Sequence, residues 1–183
     1  MADSTDDAQL VRLARAGSHE AFARLYDRYA RLVRALCYDA ALDLNTAQDL
    51  CQEVFMRAYR KIDTLEKPQS FGAWLVAITR NVGREHRKKM ARDRHQWQAE
   101  LEAVSPVENA VESRGLEQRE LFAAVARLPE DERLAIHLFY LDEQPAEAAR
   151  AVMDLSRSGF YKVLNRAKSE LKKALTPEQE ATP

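Results

Sequence analysis

Residues 145–168, PAEAARAVMDLSRSGFYKVLNRAK, contain two helical patterns separated by a short turn. In the second pattern apolar side chains recur at the spacing of one helix face. They are Phe160, Val163, Leu164 and Ala167. Ser156 stands just before this pattern and is of a residue type favoured as a helix N-cap. The two predicted helices, 145–153 and 156–175, have the lengths and the tight connection of a helix-turn-helix motif.

The outer face of the second helix carries side chains suited to nucleic acid. Arginine can pair with guanine and asparagine with adenine, while lysine and serine can bind phosphate. A helix N-terminus also offers free N–H groups to phosphate. We therefore interpret this face as a reader of duplex DNA, formed by Ser156, Arg157, Ser158, Tyr161, Lys162, Asn165 and Arg166. The alternative is a solvated basic face, because Lys and Arg also favour helix C-termini.

Helical periodicity extends over the rest of the chain, and no strand-like alternation persists. Helices are predicted over about 6–16, from N-caps at Ser18 and Thr46, from an N-cap at Ser70 to about 89, over 116–128 and over 130–141. Residues 96–113 contain four Glu and no Lys or Arg, so they are predicted to be an acidic linker. The expected fold is all-α, with helical domains at 1–95 and 114–183 joined by that linker.

Positive charge is concentrated in two places, although the whole chain has a net charge of −1. Seven cations and two anions lie between Arg80 and Arg94, and six cations and one anion lie between Arg157 and Lys173, so each segment carries +5. One basic helix in each domain is typical of a protein that binds a polyanion at two points.

The remaining composition narrows the class of protein. Cys37 and Cys51 lack metal-ligand spacing and the four histidines are scattered, so neither a metal site nor a cofactor is expected. A redox pair of the two thiols would require β-carbons about 4 Å apart. The N-terminus has no apolar run typical of a signal peptide, and no stretch reaches the ~18 apolar residues of a membrane span. We expect a cytoplasmic protein without membrane insertion.

The third predicted helix, TAQDLCQEVFMRAYRKI, has an outer face that does not suit DNA. Gln48, Asp49, Gln52, Glu53 and Met56 lie on it. Carboxylates repel phosphate, so this face fits a protein partner with basic residues, or it is simply solvated.

Several motifs in this order resemble the extracytoplasmic-function (group IV) sigma factors of bacterial RNA polymerase, which are part of the sigma-70 family. The first is DLCQEVFMRAY at 49–59, followed by Ser70, Phe71, Trp74, Leu75, Ile78, Arg80 and Asn81, and then by EHRKK at 85–89. Leu128-Pro129 and the segment from Leu164 to Lys168 match the second domain of that family. The resemblance covers about 6–175.

The resemblance implies a promoter-specificity subunit that is not itself an enzyme. Its region 2-like first domain would bind core RNA polymerase through Asp49, Gln52, Glu53, Met56 and Arg57. It would also melt and read the −10 element as single strand through Lys67, Gln69, Ser70, Arg80, Asn81, Arg84, Arg87 and Lys88. The region 4-like second domain would read the −35 element as duplex through the helix-turn-helix face defined above. An anti-sigma factor or other regulator is the further partner that the resemblance implies.

Some positions depart from the family pattern. Asp154 stands at a turn position usually held by Gly, and Gly159 and Phe160 stand where Thr and Val are common. Asp can adopt the left-handed backbone that such a turn needs. Phe71 and Trp74 could stack on bases, but their helical spacing favours packing in the core.

Three other functions remain as alternatives. A stand-alone helix-turn-helix regulator would leave the acidic face of the third helix unexplained. An enzyme finds no support in a clustered acid–base set, a phosphate loop or a nucleophile motif. A structural helical adaptor would have no need of two basic helices.

Overall fold

The computed structural model describes residues 6–100, 116–142 and 145–176 of the 183. Every regular element in those ranges is a helix, which confirms the all-α class. The chain divides into two compact units, Met1–Ala110 and Val111–Pro183.

The described part of the first unit contains four α-helices. They are α1 (Asp7–Arg15), α2 (His19–Ala41), α3 (Leu44–Lys61) and α4 (Phe71–Glu100), with 3-10 turns at Ile62–Thr64 and Pro68–Ser70. Helix α2 is central, because it contacts each of the other three. The largest fully buried side chains of this unit include Leu10, Leu25, Phe71 and Leu75, one or more from each of α1, α2 and α4.

Polar contacts fix the ends of these helices. The buried Asp7 of α1 accepts hydrogen bonds from Arg28 and Tyr29 of α2. Arg15, in the last turn of α1, donates from Nε to the backbone carbonyl of Ile62 at 3.0 Å. Ser18 caps α2 as predicted, since its hydroxyl accepts from the backbone N–H of Ala21. Helix α1 is thereby tied both to α2 and to the end of α3.

Three predicted boundaries in this unit were wrong. Helix α3 begins at Leu44, and its N-cap is Asp43, whose carboxylate accepts from the backbone N–H of Thr46 at 2.7 Å. That hydrogen bond lowers the pKa of Asp43. Ser70 does not cap α4 but closes the 3-10 turn that leads directly into it. Helix α4 extends to Glu100, so residues 96–100 of the predicted linker are helical, and 101–113 lie outside the described residues.

The second unit contains α5 (Leu116–Arg127), α6 (Glu130–Leu141), α7 (Pro145–Met153) and α8 (Arg157–Leu175). Helix α8 contacts α5, α6 and α7. Phe160, Leu164 and Ala167 are the buried residues of α8, which confirms most of the packing stripe expected from the sequence.

The connection between α7 and α8 is tight. Asp154 adopts the left-handed conformation with φ of +54°, as expected for the position that carries Gly in the resembling family. Ser156 caps α8, because its hydroxyl accepts from the backbone N–H of Gly159 at 3.2 Å. These two residues turn the chain and start the second helix of the predicted helix-turn-helix.

Candidate functional site

The outer face of α3 places four of the five predicted polymerase-binding residues side by side. Asp49, Gln52 and Met56 are exposed, and Glu53 is half-buried. At about 100° per residue these four positions fall within about 100° of the helix circumference. The opposite side of α3 is buried, so the helix cannot rotate this face into the core.

Arg57, the fifth residue, lies against α4 instead of standing free on that face. Its Nε donates to Glu53 Oε1 at 2.6 Å, and its NH1 lies 2.8 Å from Glu85 Oε2 on α4. The two carboxylates raise the pKa of the Arg57 guanidinium, with Glu53 the larger cause. The side chain therefore links the acidic face of α3 to the basic helix α4.

A groove of about 640 Å³ lies between α2 and α3 and was missed at the level of sequence. Its apolar wall is formed by Phe22, Tyr26, Cys51, Phe55, Met56 and Tyr59, and its polar edge by Arg34, Gln48, Gln52 and Arg60. Tyr26 and Tyr59 are 38% and 42% exposed. Helical periodicity marks the apolar side of a helix but does not distinguish a groove from the core, so it could not reveal this surface.

The aromatic rings of this groove support each other. Phe22 meets Tyr59 edge to face with ring centroids 5.0 Å apart, and Tyr26 lies 4.5 Å from Phe55. The Tyr59 hydroxyl is 3.1 Å from Nδ1 of His19. Because Gln52 and Met56 belong both to the groove and to the outer face of α3, the two surfaces are continuous.

The five predicted single-strand contacts on helix α4 form one stripe along it. Asn81, Arg84, Arg87 and Lys88 are exposed and Arg80 is half-buried. These five positions span about 120° of the helix circumference. Lys67 and Gln69 are exposed and Ser70 is half-buried, all at the N-terminal end of the same helix. The eight predicted single-strand contacts thus form two groups along one helix, separated by about 15 Å between Ser70 and Arg80.

The buried side of α4 accounts for Phe71 and Trp74, whose role the sequence left open, and for Gly83. Phe71 is fully buried, 5.6 Å from the ring of Tyr29, which confirms packing in the core for this residue. Trp74 is half-buried and contacts Phe71, with centroids 5.8 Å apart. Gly83 is buried, and a β-carbon there would meet the Ala40 β-carbon at 3.0 Å. A glycine at this position lets α4 approach α2 closely.

The seven predicted duplex contacts lie at the start of α8 and along its exposed side. Ser156, Arg157, Ser158, Lys162, Asn165 and Arg166 are exposed, and Tyr161 is half-buried. The Arg166 side chain is bound to α6, because its Nε donates to the Glu132 carboxylate. Sequence reasoning did not identify Glu132, since no local pattern signals a contact 34 residues away along the chain.

Neither cysteine forms a disulfide, and both are buried. Burial, with smaller contributions from Cys51 and Asp39, raises the pKa of Cys37 to about 12. Burial also raises the pKa of Cys51, partly opposed by Arg34. Such thiols are protonated at neutral pH and are poor nucleophiles.

Two features of the described residues bear on other classes of site. Within that part of the chain no three His, Cys, Asp or Glu side chains are grouped so as to hold a metal ion. Among the described helices, none is both long and apolar enough to cross a membrane.

Comparison with known proteins identifies the class to which this arrangement belongs. Residues 25–93, from α2 to α4, match the Sigma-70 region 2 family. The chain is 36% identical over 155 residues to the ECF RNA polymerase sigma factor BldN of Streptomyces coelicolor, covering 82% of this chain. It is 31% identical over 166 residues to the ECF RNA polymerase sigma-E factor of Escherichia coli, covering 84% of this chain and 86% of that relative.

The chain therefore belongs to the extracytoplasmic-function RNA polymerase sigma factors. It spans 59% of the length of BldN and 42% of the length of another curated relative that it matches. The solved structure of CnrH in complex with the cytosolic domain of CnrY has the same fold, with a TM-score of 0.61 and 22% identity over 92% of this chain and 96% of that one.

Proposed function

We propose that this chain is a sigma factor that directs promoter-specific initiation by bacterial core RNA polymerase. Three surfaces divide the work. The outer face of α3 binds the polymerase, the stripe of α4 with Lys67, Gln69 and Ser70 holds the −10 element as single strand, and the exposed side of α8 reads the −35 element as duplex. The protein carries no catalytic residue of its own in this scheme.

The separation of charge is the observation that carries the proposal. The outer face of α3 displays carboxylate and amide groups, whereas the stripes of α4 and α8 display cations. A surface for DNA alone would not place Asp49 and Glu53 where they repel phosphate. Acidic groups suit basic residues of a protein partner, so one chain can hold the polymerase and the promoter together.

The stripe of α4 suits a single strand. An unpaired strand has no fixed groove, so binding relies on cations that follow its phosphates and on pockets that accept splayed bases. Arg84, Arg87 and Lys88 supply exposed cations along one side of α4. Gln69 and Ser70 offer amide and hydroxyl groups to a base edge at the end of that row.

The exposed side of α8 suits duplex. A second helix of a helix-turn-helix lies in the major groove with its N-terminal residues at the base edges. Arg157, Ser158 and Tyr161 stand in the first two turns of α8, next to the Ser156 cap. The N-terminus of α8 adds a positive helix end for backbone phosphate.

Regulation by a partner protein is part of the proposal. The structural neighbour CnrH is solved in complex with the cytosolic domain of CnrY, and a second neighbour, RpoE of Bartonella quintana, with the anti-sigma factor NepR. By likeness, this chain is held inactive by an anti-sigma factor until a signal releases it.

Run-off transcription with purified core polymerase on a genomic promoter library tests the proposal. Addition of the full chain should produce transcripts from a defined set of promoters. Replacing Gln52 and Glu53 by Ala should abolish polymerase binding without loss of helix content. Because Glu53 also pairs with Arg57, a second variant, Asp49→Ala with Gln52→Ala, weakens the same face and leaves that ion pair intact.

Gln9→Ala with Glu20→Ala is the matched control, since it removes one exposed amide and one exposed carboxylate from α1 and α2. The control should bind core polymerase normally. Binding by both α3 variants at the level of the unmodified chain would overturn the assigned surface. A chain that binds duplex DNA but never binds core polymerase would instead be a stand-alone helix-turn-helix regulator.

A further inference from the structure

We propose that Glu132 of α6 is a positioning residue that orients the Arg166 guanidinium on α8 for reading one base pair of the duplex. This inference rests on the proposed function of α8. It assigns a role in base selection to a side chain that is buried and cannot itself reach DNA.

The two side chains meet across the boundary between core and solvent. The Glu132 side chain is 4% exposed, whereas the Arg166 side chain is 63% exposed. The contact is made by Nε of Arg166, which donates to Oε1 of Glu132. Nε is the guanidinium nitrogen nearest the backbone, so the terminal NH1 and NH2 groups extend past it toward solvent.

In this arrangement the plane of the Arg166 guanidinium is fixed, while its NH1 and NH2 groups remain available to a base. A guanidinium has five N–H donors in one rigid plane, and only one of them lies on Nε. Bidentate recognition of guanine uses two parallel N–H donors aimed at O6 and N7, so its strength depends on the orientation of that plane. A carboxylate bound at Nε restrains the orientation without occupying the four remaining donors.

A structural role alone does not account for the carboxylate at position 132. Glu132 Oε2 is buried and has no hydrogen-bond partner among the described residues. Burial of a carboxylate with incomplete pairing is costly, and an apolar side chain of similar size commonly stabilises a fold equally well or better. Its place in the first turn of α6 offsets part of the cost, because negative charge is favoured there. The remaining cost is explained if the carboxylate serves Arg166.

A neighbouring contact shows that α6 supports this part of α8 more generally. Lys168 Nζ lies 3.9 Å from the centroid of the Phe139 ring of α6. By contrast, Lys162 and Asn165 are exposed, and within the described part of the chain neither side chain makes a hydrogen bond or an ion pair. Arg166 is therefore the one of these three predicted readers whose orientation is set before DNA arrives.

The test uses the full chain bound to core polymerase and a duplex library with a randomised upstream promoter segment. Bound duplexes are sequenced for the unmodified chain, Arg166→Ala, Glu132→Gln and Glu170→Gln. Arg166→Ala should lose preference at the base pair that Arg166 reads. Glu132→Gln should relax preference at that same base pair by about tenfold and leave the other positions unchanged.

Glu170→Gln is the matched control, because it removes the same charge from α8 itself. Glu170 is exposed, and its carboxylate pairs with Lys173 at 2.9 Å. Its base preferences should equal those of the unmodified chain. Salt dependence gives a second readout: Glu132→Gln should leave the slope of log K against log salt unchanged, because it removes no cation from the DNA-binding surface.

Two results would overturn the inference and leave the proposed function standing. One is a Glu132→Gln profile identical to that of the unmodified chain while Arg166→Ala loses a base pair. The other is an Arg166→Ala profile with every preference retained. Failure of the unmodified chain to select any duplex sequence would count against both the inference and the proposed reading role of α8. Thermal unfolding of each variant, followed by circular dichroism, confirms that the compared chains are folded.

Discussion

Helices α4 and α8 are both basic, yet two cations of α8 are held by side chains of α6, whereas three exposed cations of α4 have no such support in the described part of the chain. On α4, Arg84, Arg87 and Lys88 are exposed and make no ion pair among the described residues. The acidic residue beside them, Glu85, forms an ion pair with Arg57 of α3. On α8, Arg166 is bound by Glu132 and Lys168 lies over Phe139.

This difference fits the two proposed targets. A duplex presents donors and acceptors at fixed positions in its groove, so a reader gains from cations of fixed orientation. A single strand is flexible, and cations that follow it need charge more than a fixed orientation. Under the proposed function, two helices of similar excess charge serve different forms of DNA because of the side chains packed beneath them.

The largest expected effect concerns the α4 cations. Replacing Arg84, Arg87 and Lys88 by Ala should make the slope of log K against log salt less negative by about 2 for a single-stranded oligonucleotide. At 0.1 M salt that corresponds to roughly 100-fold weaker binding. Fluorescence anisotropy with the full chain at several salt concentrations measures it. The stability of the variant should change little, because these side chains are exposed.

The control for that variant replaces Arg12, Arg31 and Lys61, which are exposed on α1, α2 and α3. It removes the same formal charge from other surfaces of the same unit. An equal loss of binding in the control would mean that net charge, and not the stripe of α4, governs the interaction.

The second effect is a loss of stability, which is expected when a cation of α8 is removed but not when one of α4 is. Arg166→Ala leaves the Glu132 carboxylate buried without its partner, and should lower the free energy of unfolding of the second unit by about 2 kcal/mol. Arg87→Ala on α4 should change stability by no more than about 0.5 kcal/mol. Urea denaturation followed by circular dichroism compares the two variants.

A double variant sharpens this result. Glu132→Leu with Arg166→Ala removes the buried charge along with its partner, so it should recover most of the lost stability. If Arg166→Ala and Arg87→Ala were equally mild, the Glu132 contact would not hold α8, and the contrast between the two helices would be lost.

The sequence predicted those parts of the molecule whose signals are local. Ser18 and Ser156 were identified as N-caps, and the packing stripe of α8 was placed correctly, because caps and helical periodicity act within a few residues. The predicted start of α3 was wrong because Asp43 and Thr46, three residues apart, are both residue types favoured as N-caps. Only the backbone geometry decides between two such candidates.

Contacts between distant residues could not be predicted in this way. A glycine inside a helix is costly by propensity alone, yet Gly83 lies where α4 approaches Ala40 of α2. Arg166 looked like a free cation until the structure placed Glu132 beside it. Neither partner has a periodic relation to its residue, so the candidate site was predicted as a set of exposed faces but not as a set of supported side chains.

The third expected effect compares the left-handed turns of the two units. Leu42, with φ of +56°, ends α2, and Asp154, with φ of +54°, precedes α8. The left-handed region costs leucine about 1–2 kcal/mol, whereas aspartate tolerates it better. Leu42→Gly should therefore stabilise the first unit by about 0.5–1 kcal/mol after the entropic cost of glycine, and Asp154→Gly should change the second by less.

Thermal denaturation of both glycine variants measures this difference. Leu42 is 52% exposed, so its side chain loses little packing on replacement. Greater stabilisation by Asp154→Gly than by Leu42→Gly would show that the α7–α8 turn is the more strained of the two.

The smallest expected effect returns to the support beneath α8. Lys168→Ala removes a cation 3.9 Å from the Phe139 ring and should cost about 0.5–1 kcal/mol, as is usual for a cation–π contact near the surface. Lys88→Ala on α4 lacks such a contact among the described residues and should cost less. Urea denaturation of the two variants and of Lys168→Arg measures the difference, since arginine retains the charge over the ring. Equal costs for Lys168→Ala and Lys88→Ala, with no rescue by arginine, would limit the support of α8 to the single contact between Glu132 and Arg166.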